Sequence, residues 1–184
     1  MISDTGYWTE RNEALSSKCD TGLCNELIKY INENNYKMTY DFGCGSGEYV
    51  KRFIAADIFT LGFDGNPQTE TFGCIVQDLT EDDKEPAPVD FILCLEVGEH
   101  IPAKHENTFV NNLLKNLNNG GILVISWAVR GQGGYGHVNE KENIEVIIDF
   151  ENRGLCFSNG LTKRFKDSIS DISYFKNTLM VFIK

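Results

Sequence analysis

Residues Val89–Leu95 read Val-Asp-Phe-Ile-Leu-Cys-Leu, an almost unbroken apolar run. A strand covered on one face alternates apolar and polar side chains, whereas a strand covered on both faces loses the alternation. The run therefore predicts a central strand with layers packed above and below it. Its surroundings agree. Met38–Phe42 and residues 59–63, 74–76 and 122–127 read as further strands, separated by helical stripes over 23–31, 49–54 and 102–117, with Asn119-Gly120-Gly121 closing the last helix. Beyond them the sequence predicts a helix around Ile144, Ile147 and Ile148, a short strand over 155–157, a helix over 162–169 and a final strand Leu179–Ile183. Strands alternating with helices specify an α/β domain with a doubly wound, mainly parallel sheet, whose ligands bind at the carboxyl ends of the strands.

At 184 residues the chain makes one domain. It divides into an N-terminal lid and helix over 1–36, a cofactor-binding half over 37–130, and an acceptor loop with C-terminal strands over 131–184. Seventeen basic residues against 27 acidic ones give a formal charge of −10, which disfavours long nucleic acids as partners. No apolar run approaches the ~20 residues of a membrane span, and the N-terminus lacks the pattern of a signal peptide, so the expectation is a soluble cytoplasmic protein. The six cysteines contain no Cys-x-x-Cys pair and read as reduced thiols packed as small hydrophobes.

The densest chemistry lies in Tyr40-Asp41-Phe42-Gly43-Cys44-Gly45-Ser46-Gly47-Glu48-Tyr49. Gly43, Gly45 and Gly47 let the backbone turn sharply between strand and helix and let a ligand approach the main chain. The spacing is GxGxG rather than the GxGxxG of dinucleotide sites, and no Gly-Lys-Ser/Thr follows to make a P-loop. Asp41, just before the glycines, suits a cationic amine better than a pyrophosphate. Asp64 ends the second strand, where a carboxylate accepts from both ribose hydroxyls. Asp78 ends the third and is placed to accept from an adenine amino group. Singly, each acid reads as a loop residue or cap; at three successive strand ends they specify a nucleoside ligand.

These residues, with the strand and turn Asp90-Phe91-Ile92-Leu93-Cys94-Leu95-Glu96-Val97-Gly98-Glu99-His100-Ile101-Pro102, resemble class I S-adenosylmethionine-dependent methyltransferases over about residues 38–130. The resemblance implies a Rossmann-like, seven-stranded sheet with an antiparallel final strand. It implies that Asp41 and the backbone of 43–47 hold the methionine end of S-adenosyl-L-methionine, Asp64 the ribose, and Asp78 with Leu79 the adenine, with Leu95 beside them. Arg11 is placed to pair with the cofactor carboxylate. A nicotinamide-dependent oxidoreductase is the rival that the loop spacing disfavours.

If residues 96–100 form a helical turn, Glu96, Glu99 and His100 share one face. With His137 they make a four-ligand set for a divalent metal, Mg or Mn. The ExxEH pattern resembles metal-dependent O-methyltransferases, namely the small-RNA 3′-terminal 2′-O-methyltransferases and, in part, those of ubiquinone biosynthesis. There the metal activates an acceptor hydroxyl. The same residues also read without a metal: Glu99 and His100 as cap or positioning groups and His137 as general base. The Gly-rich stretch 131–136, with Trp127, Arg130, Gln132, Tyr135, His137 and Asn139, forms the expected acceptor wall. The expectation is an O-methyltransferase acting on a small polar or glycan hydroxyl, with Glu99, His100 and His137 catalytic. RNA ribose or a phenol is the alternative acceptor, and a non-catalytic cofactor-binding subunit is the alternative class.

Overall fold

A computed structural model describes residues 1–10, 18–82 and 87–184. Seven strands form one sheet: β1 Met38–Phe42, β2 Phe59–Asp64, β3 Ile75–Val76, β4 Val89–Leu95, β5 Leu117–Ser126, β6 Cys156–Phe157 and β7 Leu179–Ile183. Their spatial order is β3-β2-β1-β4-β5-β7-β6, and β7 runs antiparallel to both β5 and β6. The order reverses between β1 and β4, so the cleft at their carboxyl ends is the topological switch point where such sheets bind ligands.

The apolar run in β4 is explained by the layers around it. Ile92 and Cys94 enter a core shared with Phe109, Val110 and Leu113 of helix α3 (Ala103–Lys115) and Phe150 of α4 (Asn143–Asn152). Phe91 and Leu93 enter the opposite core, with Leu27 and Ile31 of α1 (Thr21–Glu33), Phe53 of α2 (Glu48–Ala55) and Phe165 of α5 (Asn159–Ser168). A short helix α6, Phe175–Thr178, leads into β7.

One boundary differs from the sequence expectation. Helix α3 stops at Lys115, and Asn119-Gly120-Gly121 lies inside β5 rather than at a helix end. The Asn116 carbonyl accepts from the Val89 N–H at 2.9 Å, which draws the chain into pairing with β4 as soon as the helix ends. Gly120 and Gly121 then exchange hydrogen bonds with Lys184 at the end of β7. Among the described residues no helix is long and apolar enough to cross a membrane.

Candidate active site

A cavity of about 730 Å³ opens at the carboxyl ends of β1, β2 and β4. The glycine turn forms one wall. Gly43 and Gly45 adopt φ of +81° and +53°, left-handed values that favour glycine, and both line the cavity. Gly47 does not line it. It sits at the start of α2 with φ of +71°, where an added Cβ would come within 2.7 Å of Cys74 Sγ, so it is required by packing.

Asp64 fastens this wall. Its Oδ2 accepts from the Gly45 N–H at 2.8 Å and its Oδ1 from the Asn66 N–H at 2.8 Å. Burial raises its pKa and these two amides pull it back in part. Each oxygen keeps a lone pair for a ligand hydroxyl. Asp41 is buried at the cavity wall, and burial first, then the neighbouring acidic groups including Asp64, push its carboxyl well above the ordinary range. A cationic ligand group beside it would supply the counter-charge that the protein withholds.

The N-terminal segment closes the cavity from above. Ile2 and Trp8 pair across a β-bridge, and the Thr5 hydroxyl donates to Asp78 Oδ2 at 2.7 Å. Asp78 Oδ1 accepts from both the N–H and the hydroxyl of Thr80, at 2.9 and 2.7 Å. Tyr7 packs against Gly65, where any Cβ would run into its side chain, and Trp8 meets His100 edge to face with centroids 5.3 Å apart.

At the other end stand Glu96, Glu99, His100 and His137. Residues 98–100 form a single 3-10 turn, and Glu96, with φ of +54°, stands outside it, so the expected shared helical face does not form. Glu96 is held elsewhere: its carboxylate accepts from Gln132 Nε2 at 2.9 Å and from the Thr178 hydroxyl at 3.2 Å, while its N–H donates to Ser126 Oγ at 2.8 Å. Donor atoms of Glu99, His100 and His137 do gather within 4.8 Å of one another. Glu99 is fully buried, and its carboxyl lies near the backbone N–H groups of Glu99 and Ala128 without forming well-aligned hydrogen bonds to them. Burial, and then Glu96, push its pKa well above the carboxylate range. His100 is pushed down to about 4 by burial and then by His137, so it is neutral at pH 7.

Among solved structures, the fold resembles the N-methyltransferase NodS from Bradyrhizobium japonicum in complex with S-adenosyl-L-homocysteine, with a TM-score of 0.69 and 15% identity over 95% of this chain and 96% of that one. It also resembles CalS10, an S-adenosylmethionine-bound amino pentose methyltransferase from Micromonospora echinaspora, at a TM-score of 0.68 and 14% identity over 96% and 97% of the two chains. A TehB-like S-adenosylmethionine-dependent methyltransferase from Corynebacterium glutamicum superposes at 0.67 with 18% identity over 95% and 93%. The chain has the class I S-adenosylmethionine-dependent methyltransferase fold. No protein-family model and no curated protein sequence matches it.

Placed on the methyltransferase fold, the sequence-predicted residues divide in two. Asp41, Gly43, Gly45, Asp64, Asp78, Leu79, Leu95, Glu96, Glu99, His100, Tyr135 and His137 all line the cavity. Arg11 lies outside the described residues. Trp127, Arg130 and Asn139 are not in the acceptor wall. Trp127 is buried under Gly98 and donates its Nε1 proton to the Asn139 carbonyl at 2.6 Å, so both residues buttress the 98–100 turn. Arg130 points outward, paired with Glu145 at 2.7 Å.

Two residues escaped the sequence reading. Glu140 accepts from the Gly131 and Gly133 amides, each at 2.7 Å, and from His137 Nδ1 at 2.9 Å. The Gly-rich stretch expected as the acceptor wall is thus a turn organised around one carboxylate. The His137-x-x-Glu140 spacing was the available signal. Asp20 is the other: buried far from the chemistry in sequence, it anchors residues 170–172, next to the cavity wall formed by 171–175.

Proposed function

We propose that the chain transfers the methyl group of S-adenosylmethionine to a small polar acceptor in this cavity. The observation that carries the reading is the junction of three features at one switch point: the GxGxG wall, Asp64 bound to it, and Asp78 opposite. The ligand when bound supplies an activated methyl on a good leaving group. The protein's part is to hold the two reactants in line and exclude water, which is a large share of the rate enhancement for such a displacement. The N-terminal strap provides that exclusion. Incubation with methyl-labelled S-adenosylmethionine and a panel of hydroxylated and aminated small molecules tests the reading, and label in no product would count against it.

Two nucleophiles suit the cavity. A hydroxyl of a sugar, glycan, ribose or phenol must lose its proton, and His137 Nε2, with Nδ1 tied to Glu140, is the base on hand. A divalent ion would make the hydroxyl more acidic when bound, and Glu99, His100 and His137 are the residues that would hold it. Their fit to a small ion is poor. Glu96 is committed to Gln132 and Thr178, and Glu99 Oε1 stands 4.0 Å from His137 Nε2. An amine acceptor, by contrast, needs no metal.

A further inference from the structure

Cys44 stands between Gly43 and Gly45 in the cavity wall, and Cys74 comes just before β3. With Val50 of α2 they form a small cluster of their own behind that wall. Their thiols lie close enough to interact, and glycine backbone seats each one. A Cβ on Gly62 would come within 2.8 Å of Cys44 Sγ, and one on Gly47 within 2.7 Å of Cys74 Sγ. The Thr69 hydroxyl lies 3.6 Å from Cys44 Sγ and donates to the Gly45 carbonyl, so it ties the thiol to the turn. Cys19 also meets a second thiol, but that partner, Cys24, is completely covered. Cys44 and Cys74 keep 5% and 6% of their surface open, and Cys44 lines the cavity.

We propose that Cys44 and Cys74 are a redox modification site, which a peroxide joins in a reversible disulfide that loosens the glycine wall and releases the nucleoside. This goes beyond methyl transfer and is independent of the acceptor. Non-bonded sulfurs in contact stand roughly 3.5–4 Å apart and a disulfide holds them at ~2.05 Å, so closure draws them together by about 1.5–2 Å. Cys44 is seated on Gly62 and cannot travel alone, so the turn moves with it. The Gly45 N–H, on the next residue, donates to Asp64 at 2.8 Å, and a shift on the order of 1 Å carries it outside hydrogen-bond range. Oxidation thereby reaches the amide that fastens the wall to Asp64.

The two thiols divide the chemistry. Contact with Cys44, helped against burial by Thr69 and the Lys51 ammonium, holds the Cys74 thiol below the ordinary range. The same contact and burial hold Cys44 well above it. Cys74 is therefore the thiolate that attacks, and Cys44 the thiol that resolves. The Cys74 sulfur takes one peroxide oxygen as the O–O bond breaks, giving a sulfenic acid and a hydroxide that leaves as water with the Cys74 proton. The Cys44 sulfur then attacks the Cys74 sulfur. The S–S bond forms, the S–O bond breaks, and the hydroxyl leaves as a second water with the Cys44 proton. Two thiols are oxidised to one disulfide while one hydrogen peroxide is reduced to two waters, and an added dithiol reverses the bridge.

The full reduced chain is treated with hydrogen peroxide, and its cysteines are located by peptide mass mapping without reduction. A Cys44–Cys74 cross-link is expected, with S-adenosylhomocysteine affinity at least tenfold weaker in calorimetry and restored by dithiothreitol. The Gly45 amide should exchange its hydrogen at least tenfold faster in the bridged chain. Saturating S-adenosylhomocysteine, which holds the turn in place, should slow bridging at least fivefold. Cys74→Ser should form no bridge at Cys44 and keep its affinity in peroxide. Absence of the cross-link, a bridge between other cysteines in its place, or a bridged chain that binds as tightly as the reduced one would each overturn the proposal. If the variant does not fold, the peptide map and the dithiothreitol reversal in the wild type decide. If the reduced chain binds no S-adenosylhomocysteine, the methyl-transfer reading falls, and the cross-link with the Gly45 exchange rate decides this proposal by itself.

Discussion

Asp20 is the residue whose removal should cost the fold most for the least change in volume. It is fully buried, and its Oδ1 accepts from the Leu23 N–H at 2.8 Å, capping α1. Its Oδ2 accepts from the N–H groups of Asp171 and Ile172 at 2.6 and 2.7 Å, and Ser170 adds a third amide at 3.1 Å. Asp20→Ala leaves these donors without an acceptor. At ~1–3 kcal/mol for each fully buried donor, Leu23 and Ile172, and less for the two partly buried ones, the loss is about 3–7 kcal/mol. That is a large part of the ~5–15 kcal/mol of a whole domain and corresponds to a melting temperature lower by about 10–20 °C. Asp20→Asn should fall between, since one of its two ends turns an N–H₂ toward the amides. Burial raises the carboxyl pKa, but the four amides outweigh it and hold the group below its ordinary value. A depressed folded pKa contributes stability above the unfolded value of about 3.9 and loses it as pH falls through the folded value. The gap between wild type and Asp20→Ala should therefore be full at pH 7 and shrink below about pH 4. Thermal melts at pH 7 and pH 3 measure it. A shift under 2 °C at pH 7, or a gap that does not narrow in acid, would refute the reasoning.

Two further outcomes follow from the strap and the Gly-rich turn. Gly65→Ala should push Tyr7 off the cavity roof and strain the Thr5–Asp78 bond, weakening S-adenosylhomocysteine binding by about tenfold (~1.4 kcal/mol) in calorimetry; unchanged affinity would show that the strap contributes nothing to the nucleoside site. Glu140→Ala should free the Gly131 and Gly133 amides, raising their hydrogen-exchange rates at least tenfold while leaving S-adenosylhomocysteine affinity within about twofold. Unaltered exchange would mean that the carboxylate does not organise the turn.

The legible parts of this chain were those governed by local pattern. The apolar run of β4 announced a strand covered on both faces because Ile92 and Phe91 serve opposite cores, and the glycine turn announced itself because left-handed backbone at Gly43 and Gly45 leaves few other residue types. The acceptor end was less legible. Glu96 and Glu99 looked like partners on a helix, yet the chain turns left-handed at Glu96 and sends its carboxylate to Gln132 and Thr178, contacts 36 and 82 residues away. Trp127 has the chemistry of a ligand platform, but Gly98 lies across it and the Asn139 carbonyl takes its proton. The end of α3 was misplaced for a similar reason: pairing with β4 and β7 overrode the helix-stop signal of two glycines. In each case a long-range contact decided what spacing could not.

Calorimetric titration with S-adenosylhomocysteine tests most directly whether a nucleoside is held between the glycine turn, Asp64 and Asp78. One molecule should bind per chain, and Asp64→Ala, which removes a charged hydrogen-bond partner worth ~1.5–3 kcal/mol, should weaken binding by roughly 10- to 100-fold. Saturable binding of a nicotinamide dinucleotide with no heat from S-adenosylhomocysteine would contradict it.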